Sequence, residues 1–362
     1  MLLQNGFQYG AYGHGPKPVV SGSPMDFKNA EWTEQSENIW KVSYPYSDAG
    51  IVVFNNGESW GYKKFGNNAM NQLQKDGDYY HNGSVLYLYS SENPAKKYDS
   101  IEIGSNVDLF KVQGKSIGST DVYIDNISFK YTGAFGVRAQ KADGLYITNC
   151  EFGWIGGSLQ EGNIRYGNGI EFWDGQKNVT VENNWFYQIY DSGFTFQGNS
   201  SSNKYYKNII CNNNLFENNK MSFEFWHQDN GFTFENIQFN NNISRLAGYG
   251  QCEQTIDFWL AAHIYADYRT TGTVKNFTIQ NNIFDTSKLY MAWMWLDTDS
   301  TSSNILGAHS ISQNTYYHKR SAKSEAIYVG GYAYASSQEQ LEKAVALFET
   351  NPKKVVWLGF DS

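Results

Sequence analysis

A short β pattern recurs along the chain from about residue 121 onward, and it constrains the fold more than any other feature of the sequence. Each copy contains an alternating apolar strand, an Asn-containing turn, an aromatic residue and a second alternating strand. The first strand and turn of six copies are Val122–Asn126, Leu145–Asn149, Val179–Asn183, Ile209–Asn213, Ile237–Asn241 and Phe277–Asn281. A weaker seventh copy ends at Asn314. The spacing between copies varies, so insertions must fall between the strands.

Such short strands need neighbours. A strand of about four residues cannot bury its apolar face alone, but strands stacked in register about 4.8 Å apart can. Asn at the corner of each coil accepts left-handed backbone geometry and can hydrogen-bond from coil to coil. The pattern therefore predicts an all-β fold, a right-handed parallel β-helix in which the six turn Asn residues form one corner ladder.

The pattern divides the chain into three parts. Residues 1–120 keep β character without the Asn register, which predicts irregular N-terminal coils and a β-rich insertion. Residues 121–320 are predicted to form the parallel β-helix that carries a functional groove. Residues 321–362 are expected to form a C-terminal cap. Within this cap, Ser337–Phe348 has apolar residues at helical spacing, so one short helix is predicted to cover the open end of the solenoid.

Charge and composition limit the partners. The net charge of −8 and the absence of a basic cluster argue against nucleic acid, and no apolar stretch is long enough to predict a membrane span. Met1–Gly10 lacks the features of a secretory signal. We therefore expect a cytoplasmic protein if Met1 is native and a secreted one if the chain is truncated. The three Cys residues are too few for a disulfide framework or a zinc site. The oligomeric state stays open.

The second strand of each copy alternates strictly, so every other side chain should point out of the solenoid. The aligned segments are Gly136–Gln140, Gly169–Trp173, Gly193–Gln197, Ser222–Trp226, Thr255–Trp259 and Tyr290–Met294. The first outward column contains Arg138, Glu171, Thr195, Glu224 and Asp257. The second outward column contains Gln140, Trp173, Gln197, Trp226 and Trp259.

Acids beside exposed Trp residues are typical of a sugar-binding groove. Flat C–H faces of a sugar stack on aromatic rings, and its hydroxyls bind carboxylates, amides and Arg. Exposed Trp is otherwise avoided on a protein surface. The predicted substrate-binding residues are Trp173, Trp226, Trp259, Gln197, Arg138 and, in the insertion Gly156–Asn168, Arg165. A merely solvated strand face and a solvated loop Arg are the alternative interpretations.

Glycosidic hydrolysis needs one protonated carboxyl and one ionised carboxylate. Glu224 is the leading catalytic candidate. Its preferred partner is Glu171, two coils away and about 9.6 Å distant at the backbone, which fits an inverting enzyme. Asp257, one coil away at roughly 5 Å, fits a retaining enzyme instead. Asp191, in the turn before Gly193, is a fourth candidate. Like charges this close should raise one pKa and so create the acid.

The Asn-turn coils, together with Gly167–Trp173, Tyr190–Gly193 and Phe223–Trp226, resemble the right-handed parallel β-helix carbohydrate-active enzymes of bacteria, particularly the glycoside hydrolases. The opening segment Tyr9–Pro18 resembles the first coil of those enzymes. This resemblance implies a glycosidase that acts on a poly- or oligosaccharide.

Two other functions remain open. A polysaccharide lyase would abstract a proton next to a uronate carboxyl with Arg138 or Lys220, and Glu171, Glu224 and Asp257 could hold Ca²⁺. A glycan-binding solenoid without activity would need the Trp column but not the acids. Only the lyase implies a metal, so we expect no metal or cofactor for the hydrolase. The strand columns contain few basic residues to neutralise a uronate, which disfavours the lyase.

Overall fold

The computed structural model describes residues 1–115, 119–198, 204–226, 231–255, 260–268, 272–296, 309–320, 325–349 and 351–360. Within these ranges three long sheets, A, B and C, dominate the fold. From residue 122 each coil contributes a strand first to sheet A, then to sheet B and then to sheet C, and successive coils pair in parallel. The predicted parallel β-helix is confirmed.

The three sheets have the following strands in the described part of the chain. Sheet A contains β1 (Gln8–Gly10), β12 (Val122–Asp125), β15 (Asp143–Thr148), β20 (Gln176–Glu182), β23 (Lys204–Asn212), β26 (Phe232–Asn240), β29 (Gly272–Gln280) and β32 (His309–Ser312). Sheet B contains β2 (Val19–Ser21), β13 (Ser128–Thr132), β16 (Glu151–Ile155), β21 (Trp185–Ile189), β24 (Leu215–Glu217), β27 (Ile243–Ala247), β30 (Ile283–Ser287), β33 (Thr315–Arg320) and β36 (Lys354–Phe360). Sheet C contains β11 (Phe110–Gln113), β14 (Val137–Gln140), β19 (Ile170–Trp173), β22 (Ser192–Gln197), β25 (Met221–Trp226), β28 (Ala262–Tyr268), β31 (Tyr290–Leu296), β34 (Glu325–Val329) and β35 (Tyr332–Tyr334).

The predicted Asn corner is also confirmed. Each of the six turn Asn residues directly follows a strand of sheet A and has a left-handed backbone, with φ between 53° and 59°. Asn adopts this region more readily than other residues with a side chain. These residues are Asn126, Asn149, Asn183, Asn213, Asn241 and Asn281.

A second Asn ladder, one residue further along, lies inside the solenoid. Its members are Asn184, Asn214, Asn242, Asn282 and Asn314, and all are buried. The backbone N–H of each Asn donates to Oδ1 of the next Asn in the ladder, at 2.8–2.9 Å. The buried carboxylate of Glu349 ends the ladder by accepting from the backbone and the side chain of Asn314. The ladder satisfies polar groups where water cannot reach.

Apolar side chains fill the space between the sheets. On the inner side of sheet B, Phe129, Phe152, Phe186 and Phe216 stack on one another with ring centroids 4.8–4.9 Å apart. Cys211 pairs in register with Val181 and is buried in the same core, as a small apolar side chain would be. This continuous core holds the outer face of sheet C rigidly in place.

A β-rich insertion interrupts the first coils and has its own core. One of its sheets contains β3 (Thr33–Ser36), β4 (Ile39–Ser43), β9 (Val85–Tyr89), β8 (Asp78–His81) and β7 (Tyr62–Lys64), and the other contains β10 (Ile101–Ser105), β5 (Ala49–Phe54) and β6 (Ser59–Trp60). A hairpin of β17 (Ser158–Glu161) and β18 (Ile164–Tyr166) contacts it through Asp48, whose Oδ2 accepts from Leu159 N–H at 2.7 Å.

The short helices are peripheral, apart from the predicted one at the C-terminus. In the described ranges they are α1 (Pro94–Lys97), α2 (Gln338–Val345) and the 3-10 turns Phe27–Asn29, Asn55–Gly57, Ala69–Gln72 and Gln251–Gln254. Ser337 caps the start of α2, and Leu341, Ala344 and Val345 join the main core. No helix in the described ranges is long and apolar enough to cross a membrane. The boundaries at residues 120 and 320 stay a prediction, although β1, β2 and β11 already belong to the long sheets.

Candidate active site

The outer face of sheet C brings together most of the predicted site. Arg138, Glu171, Thr195 and Glu224 occupy the same register position on β14, β19, β22 and β25, which are successive neighbours. Glu171 and Glu224 are therefore two strands apart, with Thr195 between them. At the usual strand spacing their backbones are about 9.6 Å apart.

The predicted register of the following coils is wrong. The strand that pairs with β25 is Ala262–Tyr268, not the segment 255–259, so the neighbour of Glu224 is Tyr265 rather than Asp257. Trp226 likewise pairs with Asp267 rather than Trp259. Asp257 and Trp259 lie outside the described residues. In the next strand, Trp293 rather than Ala292 continues the column.

The expectation that this column faces open solvent is also wrong. Glu171 is only 1% exposed, Glu224 is 5% exposed, and Thr195 between them is fully buried. Trp173 and Trp226 are half-buried. Neighbouring side chains cover the two acids, so their carboxyl groups lie in a low-dielectric environment rather than in bulk water.

Only one carboxylate oxygen of Glu171 accepts a hydrogen bond from the described residues. Its Oε2 accepts from Asn168 Nδ2 at 3.1 Å, whereas no hydrogen bond from the described residues reaches its buried Oε1. The nearest cation is Arg138, whose Nε lies 3.2 Å from Oε1 as an ion pair. Burial raises the pKa of Glu171 to about 8, although Arg138 and the Asn168 hydrogen bond oppose the shift. This carboxyl is therefore largely protonated at neutral pH.

Glu224 lies in a more polar environment. Its Oε2 accepts from Ser192 Oγ at 2.7 Å and from Gln197 Nε2 at 3.1 Å. Burial, followed by the negative charge of Asp191, raises its pKa to about 7, and Ser192 and the Lys220 ammonium oppose this rise. The carboxyl thus titrates near neutral pH.

Asp191 lies directly before β22, in the coil between the two Glu residues, as predicted. Its carboxylate forms an ion pair with the buried Lys220, with Nζ to Oδ1 at 3.2 Å. The structure thus brings Asp191, Lys220 and Glu224 together. The ion pair compensates a negative charge next to a second carboxyl.

Asn168 connects the two Glu residues. Its Nδ2 donates to Glu171, and its Oδ1 accepts from Ser192 N–H at 2.9 Å. Ser192 Oγ in turn donates to Glu224. Neither Asn168 nor Ser192 was among the predicted site residues. The only signal for Asn168 was its position between Gly167 and Gly169, and Ser192 had none.

Aromatic side chains continue the face on both sides of the acids. The guanidinium carbon of Arg138 lies 5.5 Å from the centroid of the Trp173 ring. Beyond Glu224, Trp226 packs against a buried cluster that includes Met221, Tyr265 and Trp293. The column therefore changes from polar to aromatic along the solenoid axis.

Arg165, which was predicted to bind substrate or to be a solvated loop residue, is not on the open surface. It is buried, its Nε donates to Gly157 O at 2.6 Å, and its terminal nitrogens contact Gln254 Oε1 at 3.2 and 3.3 Å. The guanidinium also lies 4.6 Å from the Tyr190 ring centroid. These contacts tie the hairpin to the solenoid, so Arg165 has a structural role.

A polar cavity of about 590 Å³ adjoins this face beside Arg138. Asp108, Lys111 and Gln160 contribute to its lining. Asp108 pairs with Lys111 at 3.1 Å and lies 4.0 Å from Arg138. Among the residues that the structure describes, no group of three His, Cys, Asp or Glu side chains could hold a metal ion.

A family model for the right-handed β-helix region matches residues 49–243. Among solved structures, the chain is similar to a complex of XylC with xylose, with 12% identity, a TM-score of 0.36 and coverage of 89% of this chain and 76% of that one. It is also similar to a glycoside hydrolase, with 11% identity, a TM-score of 0.37 and coverage of 92% and 74%. No curated protein matches. Because the family model spans more than half of the chain, the protein belongs to the right-handed β-helix family.

Proposed function

We propose that the protein is a glycoside hydrolase whose catalytic carboxyl groups are Glu171 and Glu224. The observation that carries this proposal is a pair of buried carboxyls on one face, two coils apart, with pKa values raised to about 8 and about 7. A glycosidase needs one carboxyl that keeps its proton near neutral pH and one that loses it. At Glu171 burial outweighs the opposing ion pair with Arg138.

Glu171 acts as the general acid. Burial raises its pKa to about 8, and Oε1 is the oxygen that presents the proton to the leaving oxygen, because Oε2 already accepts from Asn168. Arg138 Nε lies 3.2 Å from Oε1, so it has to move away when substrate binds. Glu224, whose carboxylate accepts hydrogen bonds from Ser192 and Gln197, acts as the general base. The two backbones are about 9.6 Å apart, which is nearer to the wider carboxyl spacing of inverting enzymes than to the spacing of about 5 Å in retaining ones, so we propose inversion.

Substrate can reach Glu171 and Glu224 only after the side chains that cover them have moved. Arg138 spans Glu171 and Trp173, and Gln197 binds Glu224, so both side chains have to exchange these contacts for contacts with sugar hydroxyls. Arg138 also borders the polar cavity. We assign sugar subsites to this cavity on one side and to Trp226 on the other. Asp191 orients substrate near Glu224. We assign no role to Asp257.

Product analysis on a glycan panel tests the proposal. The chain is incubated with aryl glycosides, neutral polysaccharides and uronate polymers, with and without a chelator. We expect new reducing ends without the ultraviolet absorption of an unsaturated sugar. The chelator should not change their yield, and NMR should show inversion at the anomeric carbon. An unsaturated product that the chelator abolishes would instead establish the lyase. Affinity for a glycan without turnover on any substrate would establish a binding protein.

A further inference from the structure

The outer face of sheet B carries a second aromatic surface, away from the acids of sheet C. Trp185 on β21 pairs in register with Leu215 on β24, which pairs with Ile243 on β27. Trp185 is 41% exposed and Ile243 is 42% exposed. We call this apolar row, with the polar residues beside it, the Trp185 face. Apolar side chains that are exposed next to one another on successive coils form a patch of the kind that marks a binding surface.

A groove of about 500 Å³ runs along this row. Its lining includes Asn183, Trp185, Asn213, Leu215, Asn241 and Ile243. The three Asn residues belong to the exposed corner and repeat at the coil spacing of about 4.8 Å. The groove thus has apolar side chains on its floor and a regular row of amides on one edge.

Hydrogen bonds hold the Trp185 ring in place. Its Nε1 donates to Glu217 Oε2 at 2.7 Å, and Arg245 Nε donates to the other oxygen of Glu217 at 2.6 Å. The ring also packs against Tyr187, with centroids 4.3 Å apart. A ring that is fixed in advance loses little entropy when a ligand covers it.

The two carboxylates beside the Trp185 row, Glu217 and Glu151, are each paired with a cation. Glu217 pairs with Arg245, and Glu151 pairs with Lys130 at 2.7 Å while accepting from the Tyr187 hydroxyl. Lys17, at the edge of the groove, donates to the neutral Oδ1 of Asn126 at 2.9 Å. A charged ligand on the row itself would have to compete with the two ion pairs. A neutral ligand with apolar faces and many hydroxyls fits the surface as it stands.

We propose that the Trp185 face is a second, non-catalytic binding surface for an uncharged polysaccharide. One sugar ring stacks on Trp185, and further units of the same chain lie along Leu215 and Ile243 with their hydroxyls on the Asn amides. The choice of ligand class rests on the proposed function, whereas the surface itself does not. On this account the Trp185 face anchors polymer while the acids of sheet C cleave it.

Affinity electrophoresis through gels that contain a polysaccharide tests this proposal. All proteins carry Glu224→Gln, so that the polymer is not degraded. The gels contain either mixed-linkage glucan, arabinoxylan or galactomannan as neutral polymers, or polygalacturonate or alginate as anionic ones. Trp185→Ala and Ile243→Asn are the test variants. Tyr123→Ala is the matched control because Tyr123 is an equally exposed ring on sheet A, stacked on Tyr146.

We expect at least one neutral polymer to retard the parent and Tyr123→Ala equally, and Trp185→Ala to bind about tenfold more weakly. Ile243→Asn should show a smaller loss. Equal retardation of the parent and Trp185→Ala, retardation by anionic polymers only, or no retardation at all would overturn the proposal. A dimer that Trp185→Ala converts to monomer would also overturn it and assign the face to a second copy of the chain. Because binding is measured without turnover, a missing hydrolase activity would not affect this result.

Discussion

The side-chain amide of Asn168 donates from Nδ2 to Oε2 of Glu171 at 3.1 Å, within the buried outer column of sheet C. This contact stabilises the ionised form of a carboxyl whose pKa burial raises to about 8. Because the other end of Asn168 binds Ser192, the same amide sets the positions of both proposed catalytic groups.

Replacing Asn168 should change the pH dependence of hydrolysis. Without its hydrogen bond the pKa of Glu171 rises, and a general acid with a higher pKa stays protonated to higher pH. We expect Asn168→Ala to move the basic limb of the kcat/KM profile upward and to lower kcat about tenfold or more. The control is Asn178→Ala, which removes an exposed amide on sheet A. An unmoved basic limb would show that Asn168 does not act through Glu171.

Stability against pH gives a second test of the buried acid. The pKa of Glu171 is raised from its usual 4.5 to about 8 in the folded chain, so the folded state keeps a proton that the unfolded state releases. Its contribution to stability is therefore fully present below pH 4.5 and is lost as the pH rises through about 8. The Tm of Glu171→Gln should fall less between pH 5 and pH 9 than the Tm of the parent.

Glu151→Gln is the control, because the pKa of Glu151 is shifted in the opposite direction to that of Glu171. Burial alone would raise the pKa of Glu151, but hydrogen bonds from Lys130 and Tyr187 outweigh it and lower the pKa. Its stabilising effect is therefore present above the unfolded pKa and is lost as the pH falls. If Glu171→Gln keeps the full loss of Tm between pH 5 and pH 9, Glu171 is not a buried neutral acid.

The inner Asn ladder should contribute more to stability than the outer corner. Asn214→Ala removes the acceptor for the buried N–H of Asn184 and leaves that group unsatisfied. We expect the free energy of unfolding, measured by urea titration, to decrease by about 1–3 kcal/mol. Asn213→Gly keeps the left-handed turn and removes only an exposed amide, so it should change stability by less than about 1 kcal/mol. Equal effects would contradict this assignment.

The repeats were sufficient to predict the solenoid, its Asn corner and its C-terminal helix. The register failed after β25 because the segment 255–259 has the same alternation as β25, whereas the strand that pairs in the structure is Ala262–Tyr268. A period of two does not distinguish between two nearby segments when each places apolar residues on one face.

The candidate site was predicted only in part, for a different physical reason. Glu171 and Glu224 follow from strand alternation, which is local. Their burial depends on Arg138, Gln197 and Asn168, which approach from other coils or from the preceding turn. Such contacts depend on side-chain conformations that the alternation of apolar residues does not encode.

Trp226 should affect substrate binding more than folding. It is half-buried at the edge of an aromatic cluster rather than inside the solenoid. We expect Trp226→Ala to raise KM about tenfold with only a small decrease in Tm. Tyr334→Ala, which removes an exposed ring further along sheet C, should leave KM unchanged. A large loss of Tm in Trp226→Ala with unchanged KM would assign Trp226 to packing.

The turnover of amide variants tests whether Glu171 and Glu224 are the catalytic pair. Glu171→Gln and Glu224→Gln keep the shape of each side chain but cannot exchange the proton. With a glycan identified in the product screen, each should lower kcat by at least about a hundredfold while the protein stays folded by circular dichroism. Near-normal turnover in either folded variant, with turnover abolished in Asp191→Asn, would contradict the account and place the catalytic centre elsewhere on sheet C.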